Sequence, residues 1–152
     1  MRVSAKVDYA VRALVELVAA SEEQPRKAEG MAAAQHIPLR FLLNIMGELR
    51  VARLVASRRG VEGGYWLACP AREISVADVI RAVEGPLADV HGMAPEEVEY
   101  PPSTAALRDV WIASRAAMRD VLERTTIAAI ATGALPKPVI ARLHAPGSDR
   151  RR

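Results

Sequence analysis

Two clusters in the first half of the chain carry residue types suited to chemistry. Arg40, Leu43 and Asn44, with Gly47, recur at i, i+3, i+4 and i+7, so a helix there sets them on one face. Arginine and asparagine make bidentate hydrogen bonds to guanine and adenine edges, and Leu43 offers an apolar contact to a thymine methyl. Further on, Arg58-Arg59-Gly60-Val61-Glu62-Gly63-Gly64 puts two guanidinium groups on a glycine-rich turn. Such a tip reaches phosphates or a minor groove, and Gly60, Gly63 and Gly64 let the backbone approach closely. Arg50 and Arg53, between the clusters, can add phosphate contacts. The chemistry on offer is non-covalent recognition of duplex DNA.

The surrounding pattern supplies a scaffold for these groups. Leu42, Ile45, Met46 and Leu49 follow i, i+3, i+4, i+7 on the other face of the same helix and must meet a core. Pro38 suits its first turn, where the missing N–H costs nothing. Before it, a helix is expected from a Ser4 cap to about Ala20. Its buried stripe is Val7, Ala10, Val11, Leu14, Leu17 and Val18, with Asp8–Arg12 and Arg12–Glu16 as surface pairs. A short helix fits Lys27 to Gln35, and His36-Ile37-Pro38 makes a tight corner. Leu54–Ser57 and Tyr65–Ala68 read as the two strands of a β-hairpin. Ser75 caps a fourth helix with Val76, Val79, Ile80 and Val83 inward, stopped by Gly85-Pro86. This order of elements describes a winged helix-turn-helix.

Charge divides the rest of the 152 residues. Residues 1–85 carry 12 Lys/Arg and 10 Asp/Glu; residues 86–104 carry four acids, no base and four prolines; residues 105–152 carry nine bases and four acids. The organisation expected is a DNA-binding domain over 1–85, an acidic, proline-containing linker over 86–102, dimerisation helices over 103–135 and a flexible tail over 136–152. Ser103 is the expected cap of a long helix to about Arg124. Its stripe of Leu107, Val110, Trp111, Ser114, Met118 and Val121 is too apolar for water, and a second copy of the chain is the simplest cover. A last short helix fits Thr126 to Thr132, closed by Gly133. The fold class is mainly α with a small β-hairpin wing, plus a long C-terminal dimerisation helix.

Composition narrows the function. The net charge of +3 permits a nucleic-acid partner. The single cysteine excludes a disulfide framework and any site built from several thiolates of one chain. No apolar run approaches the ~20 residues that span a bilayer. Lys6, Asp8, Arg12 and Glu16 interrupt the opening segment, so it does not read as a signal peptide. A cytoplasmic protein is expected. The three histidines fall in a corner, a linker and a tail, and no nucleophile–base set or phosphate loop accompanies them, so an enzyme is not expected. Cys69 is the usual small buried hydrophobe, with a redox role as the rarer reading. His91 with Glu96, Glu97 and Glu99 lacks tight ligand spacing and reads as a solvated acidic stretch. Trp111 belongs to core or dimer packing, or lines an apolar effector pocket.

Four stretches resemble the IscR/Rrf-two family of winged-helix bacterial transcription regulators: SAKVDYAVRALVELV, IPLRFLLNIMGELRVARLV, SRRGVEGGYWLA and EISVADVIRAVEG. The resemblance implies a homodimer, crossed through the long helix, on a two-fold DNA operator. It implies Pro38, Arg40, Leu43 and Asn44 at the groove, and Arg58, Arg59, Gly60, Gly63, Gly64 and Tyr65 in the wing. Some members hold an iron–sulfur cluster through three cysteines in the stretch matching 86–110, where this chain has none, so no cysteine-ligated cluster is expected. Cluster-holding members often carry glutamate where Leu43 stands. The function expected is a sequence-specific DNA-binding repressor answering to a small-molecule or protein effector. The alternative is a winged helix used for protein–protein contact without DNA.

Overall fold

The computed structural model describes residues 3–148. Its first half is a helical core with one hairpin: α1 (Ala5–Glu16), α2 (Ala28–Gln35), α3 (Leu39–Val51), β1 (Val55–Arg58), β2 (Gly64–Leu67) and α4 (Val76–Val83). The second half is α5 (Ala106–Leu122), α6 (Ile127–Thr132) and α7 (Lys137–Leu143). This is the mainly helical winged helix-turn-helix expected.

The helical stripes carry the core. Leu42, Ile45, Met46 and Leu49 of α3 are all buried against Val7, Ala10, Leu14 and Leu17 from the α1 segment and Val79, Ile80 and Val83 of α4. Val18, expected in the α1 stripe, is exposed, because the helix ends at Glu16 and the chain turns away. Ser4 Oγ accepts from Val7 N, and Ser75 forms a capping box with Asp78, so both caps stand where the residue types put them. Arg12 pairs with Asp8 at 3.0 Å but not with Glu16. Its guanidinium reaches instead to Gln35 of α2, while Glu16 pairs with Arg26. The pairs thus tie α1 to α2 rather than decorating a solvent face.

The hairpin is antiparallel, with Ala56 opposite Trp66 and Ser57 opposite Tyr65. Its second strand is also stitched to the segment before α2: Arg26 N donates to Tyr65 O at 2.9 Å, and Tyr65 N donates to Arg26 O at 2.8 Å.

Three further features of the second half differ from the sequence expectation. Residues 86–102 are not a bare solvated linker. Pro95 and Val98, three apart, are buried, while Glu96, Glu97 and Glu99 point to solvent. Ser103 does not cap α5; it lies in a short 3-10 turn, Pro102–Thr104, and α5 begins at Ala106 with no side-chain cap. Within the segment expected to be a loose tail, Lys137–Leu143 forms α7, which Arg142 ties to Asp120 of α5 at 3.4 Å. Residues 149–152 lie outside the described residues.

The winged-helix core also borrows from the second half. α6, closed by Gly133 as expected and capped by Thr126, buries Ile127 completely in the same cluster as Leu14 and Leu42. Ile127 N donates to Ile74 O, and Val76 N donates to Thr125 O, both at 2.9 Å. Residues 1–85 are therefore not closed by themselves.

Candidate nucleic-acid interface

The corner before α3 sets the direction of the candidate recognition helix. His36 sits in the left-handed region at φ 52° and ψ 42°, ending α2, and Ile37 N reaches back to Ala32 O at 2.9 Å. Ile37 is buried, which anchors the turn, and Pro38 is the N-cap of α3. With its core stripe buried, α3 presents Arg40, Leu43 and Asn44 outward; all three are exposed, and Leu43 is 42% exposed despite being apolar. Among the described residues no hydrogen bond or ion pair engages Arg40 or Asn44 side chains, so their donors stand free for a partner.

At its other end α3 is closed by a second left-handed residue. Arg53 has φ 61°, and Leu54 N donates to Leu49 O at 2.9 Å, which turns the chain straight into β1. Nothing in the spacing marked Arg53 for that role, because glycine or asparagine usually takes it.

The wing carries Arg58 and Arg59 at its tip, both exposed. Arg58 donates to Glu62 O at 3.3 Å across the turn, which steadies its stem, while Arg59 takes no partner among the described residues. The glycines have a role within the fold. A Cβ on Gly63 would stand 2.2 Å from Arg58 O, and one on Gly64 would stand 2.7 Å from Arg26 O. Gly60 has φ 104°, a conformation in which it meets nothing nearby. Tyr65 is half-buried and packs against the core, holding β2 in place.

Reading helix and wing share a groove of about 340 Å³, lined by Leu43, Arg50, Ser57, Arg58 and Arg59 and, from the start of α2, by Lys27. Arg50 Nη1 donates to Ser57 Oγ at 3.4 Å across it. Lys27, Ala28, Glu29 and Ser57 are the members that the sequence analysis does not single out. The signal was available for Lys27: it immediately precedes the first helix of a helix-turn-helix, the one that crosses the DNA backbone. Lys27, Arg50, Arg58 and Arg59 thus line one groove with Leu43 and the Glu29 carboxylate, whereas Asn44 lines a neighbouring groove that also uses Leu43, and Arg40 lines neither.

The remaining site residues lie elsewhere. α5 buries none of its residues fully; Leu107, Val110 and Trp111 are 37%, 52% and 38% exposed, Ser114 is exposed, and Met118 and Val121 are half-buried. Trp111 Nε1 donates to Tyr100 Oη at 3.2 Å. Beside it lies a cavity of about 630 Å³ walled by Leu87, Val90, Pro95, Trp111, Ser114 and Met118. Cys69 follows β2, half-buried; burial pushes its thiol pKa up, and the charges of Glu73 and Asp78 push it further the same way.

Comparison with known proteins follows this geometry. A family model described as Rrf2, iron-dependent transcriptional regulator, matches residues 3–133. A Mycobacterium tuberculosis relative that bears the name of an HTH-type transcriptional regulator, Rv1287, is 53% identical over 139 residues, covering 91% of this chain and 86% of that one. The HTH-type transcriptional regulator CymR of Bacillus subtilis is 33% identical over 132 residues, covering 87% and 91%. The solved structure of CymR, the global cysteine regulator of B. subtilis, superposes with a TM-score of 0.72 at 32% identity over 88% of this chain and 98% of that one. The structure of T. potens IscR superposes at 0.69, with 30% identity and 88% of each chain covered. The iron in the family description meets a poor donor set here. A thiolate-ligated cluster needs several cysteines, and Cys69 stands alone beside the wing. Among the described residues no group of three or more His, Cys, Asp or Glu side chains is placed to hold a metal ion. No helix among them is long and apolar enough to cross a membrane. The family and the named relatives are transcriptional regulators rather than enzymes, and on the match across residues 3–133 and the shared winged-helix fold this chain belongs to the Rrf2 family.

Proposed function

We propose that the chain is a homodimeric, sequence-specific DNA-binding repressor of the bacterial cytoplasm. The observation that carries the reading is the shared groove, where Leu43 of the exposed α3 face and Arg58 and Arg59 of the wing line one concavity with Arg50 and Lys27. A helix with free Arg and Asn donors suits the major groove, and a narrow cationic hairpin beside it suits phosphates or the adjacent minor groove. The exposed apolar face of α5 supports the dimer. Two-fold symmetry would set the reading helices about one DNA turn, ~34–36 Å, apart or at a multiple of it. The signal acts without a cysteine-ligated cluster. The input we favour is an apolar small molecule in the cavity beside Trp111, or a protein partner, which would shift the spacing of the two heads through unequal affinity for two conformations.

The test is fluorescence anisotropy of labelled duplex DNA at stepped salt, followed by footprinting on genomic fragments. Expected are an affinity that falls steeply with salt and a footprint with two symmetric half-sites. Absence of binding to duplex at low salt would assign the helix-turn-helix to protein contact instead, and a single asymmetric half-site would remove the dimer from the reading.

A further inference from the structure

Three arginines meet in the crease between α4 and α5. Arg81 lies on α4, in the winged-helix core, while Arg115 and Arg119 lie four residues apart on one face of α5. All three line one cavity of about 620 Å³, completed by the chain between Gly85 and Glu96, which adds the carboxylates of Asp89 and Glu96 to its wall. This cavity differs in character from the apolar one beside Trp111, although both use residues 87–89.

Each guanidinium is held in place by a carboxylate. Arg115 pairs with Glu96 at 2.7 Å, and its side chain is only 24% exposed. Arg119 Nε donates to Glu123 at 2.9 Å, and Arg81 reaches the same carboxylate from the other side while also touching Asp78 at 3.3 Å. Hydrogen bonds from Arg81 and Arg119 hold the Glu123 carboxyl below the usual carboxylate range. A guanidinium has five N–H donors, and these pairs occupy only part of each set. The groups are thus oriented but not exhausted. The volume lies in the range of small-molecule sites. Planar guanidinium forks match the two oxygens of a carboxylate or phosphate.

We propose that this cavity binds a small metabolite carrying a carboxylate or phosphate, held jointly by Arg81, Arg115 and Arg119. Because Arg81 belongs to the winged-helix core and the other two to α5, the anion bridges the reading head to the long helix. Its affinity then depends on how the two sit, and its binding biases that placement. The site stands on its own geometry and does not depend on the operator-binding reading.

The experiment is calorimetric titration of the full chain with citrate and, separately, with inorganic phosphate, at constant ionic strength and without DNA. Expected is one saturable site per chain for at least one probe. The affinity falls roughly tenfold or more in Arg115→Gln/Arg119→Gln and is unchanged in Arg58→Gln/Arg59→Gln. Should the glutamine pair fail to fold, Arg115→Lys carries the test: it keeps the charge at Glu96 but loses the fork, and weaker binding is expected. Amide exchange should slow in residues 81–89 and 115–123 when the probe is bound. No saturation by either probe, unchanged affinity in the α5 variants, or loss of binding in the wing variant would each overturn the proposal. The titration contains no DNA, so its failure leaves operator binding standing, and loss of operator binding leaves the titration standing.

Discussion

Replacing Gly64 with alanine should loosen the wing without touching the core. The added Cβ would stand 2.7 Å from Arg26 O, 2.9 Å from Arg26 C and 3.1 Å from Pro25 Cβ. Backbone atoms cannot swing aside as the end of a side chain can, so the strand and the Arg26 segment must part. The parting breaks the two hydrogen bonds between Arg26 and Tyr65, at 2.9 and 2.8 Å. At about 0.5–1.5 kcal/mol each, their loss costs ~1–3 kcal/mol. For a chain of this size that lowers the melting temperature by roughly 2–12 °C. Amide exchange at Tyr65 and Arg26 should accelerate, while that of Leu42 and Ile45 keeps pace with global unfolding. The contrast is Gly47→Ala on α3: its Cβ would meet nothing within 4 Å. Alanine there should stabilise the helix by about 0.5–1 kcal/mol. Were Gly64→Ala to melt with the wild type and keep the Tyr65 amide protected, the claim that this glycine exists to admit the Arg26 carbonyl would fail.

Arg59→Ala should leave the melting temperature unchanged, because the side chain is exposed and without a partner, yet weaken operator binding by ~1–3 kcal/mol; equal affinity in a titration at fixed salt removes the wing tip from the interface. Val110→Glu, at a position 52% exposed in the single chain, should leave the monomer folded but shift sedimentation from dimer to monomer, and a dimer that persists would place the contact elsewhere. Cys69 has a raised pKa, so at pH 8 it holds less thiolate than an ordinary thiol; alkylation by iodoacetamide should be slower than in the urea-unfolded chain and should climb with pH over a higher range. Equal rates in folded and unfolded chains would contradict the burial and carboxylate charges named as the cause.

The two faces of α3 are legible in the sequence because periodicity and sterics agree there. In α3 the four residues of the core stripe are all buried, which leaves Arg40, Leu43 and Asn44 no direction but outward. His36 took the left-handed corner despite its side chain. The misreadings come from prolines and from distant contacts. Pro136 and Pro138 look like breakers, but they stand at the N-cap and first turn of α7, where no N–H is needed, and Pro136 O accepts from Val139 N and Ile140 N. The acidic residues of 96–99 suggest solvation of the whole segment, yet the fold uses a three-residue spacing to turn Pro95 and Val98 inward and the acids outward. Spacing alone pairs Arg12 with Glu16, but the approach of α2 brings Gln35 and Arg26 into competition for the two groups. The anion cavity was invisible, since Arg81 and Arg115 are brought together only by the packing of α5 on α4.

The burial of Ile127 has a consequence for synthesis. The first four helices and the hairpin leave the ribosome well before α6, and the pocket that Ile127 fills stays open until it arrives. An unfilled site of that kind costs a core on the order of 2–5 kcal/mol, a large share of the stability of a small domain. The nascent winged-helix core therefore matures late. It reaches full stability only after α5, the helix with the exposed apolar face, has also been made. Full stability of the winged-helix core is thus tied to the arrival of α6 rather than to emergence of α3 and the wing.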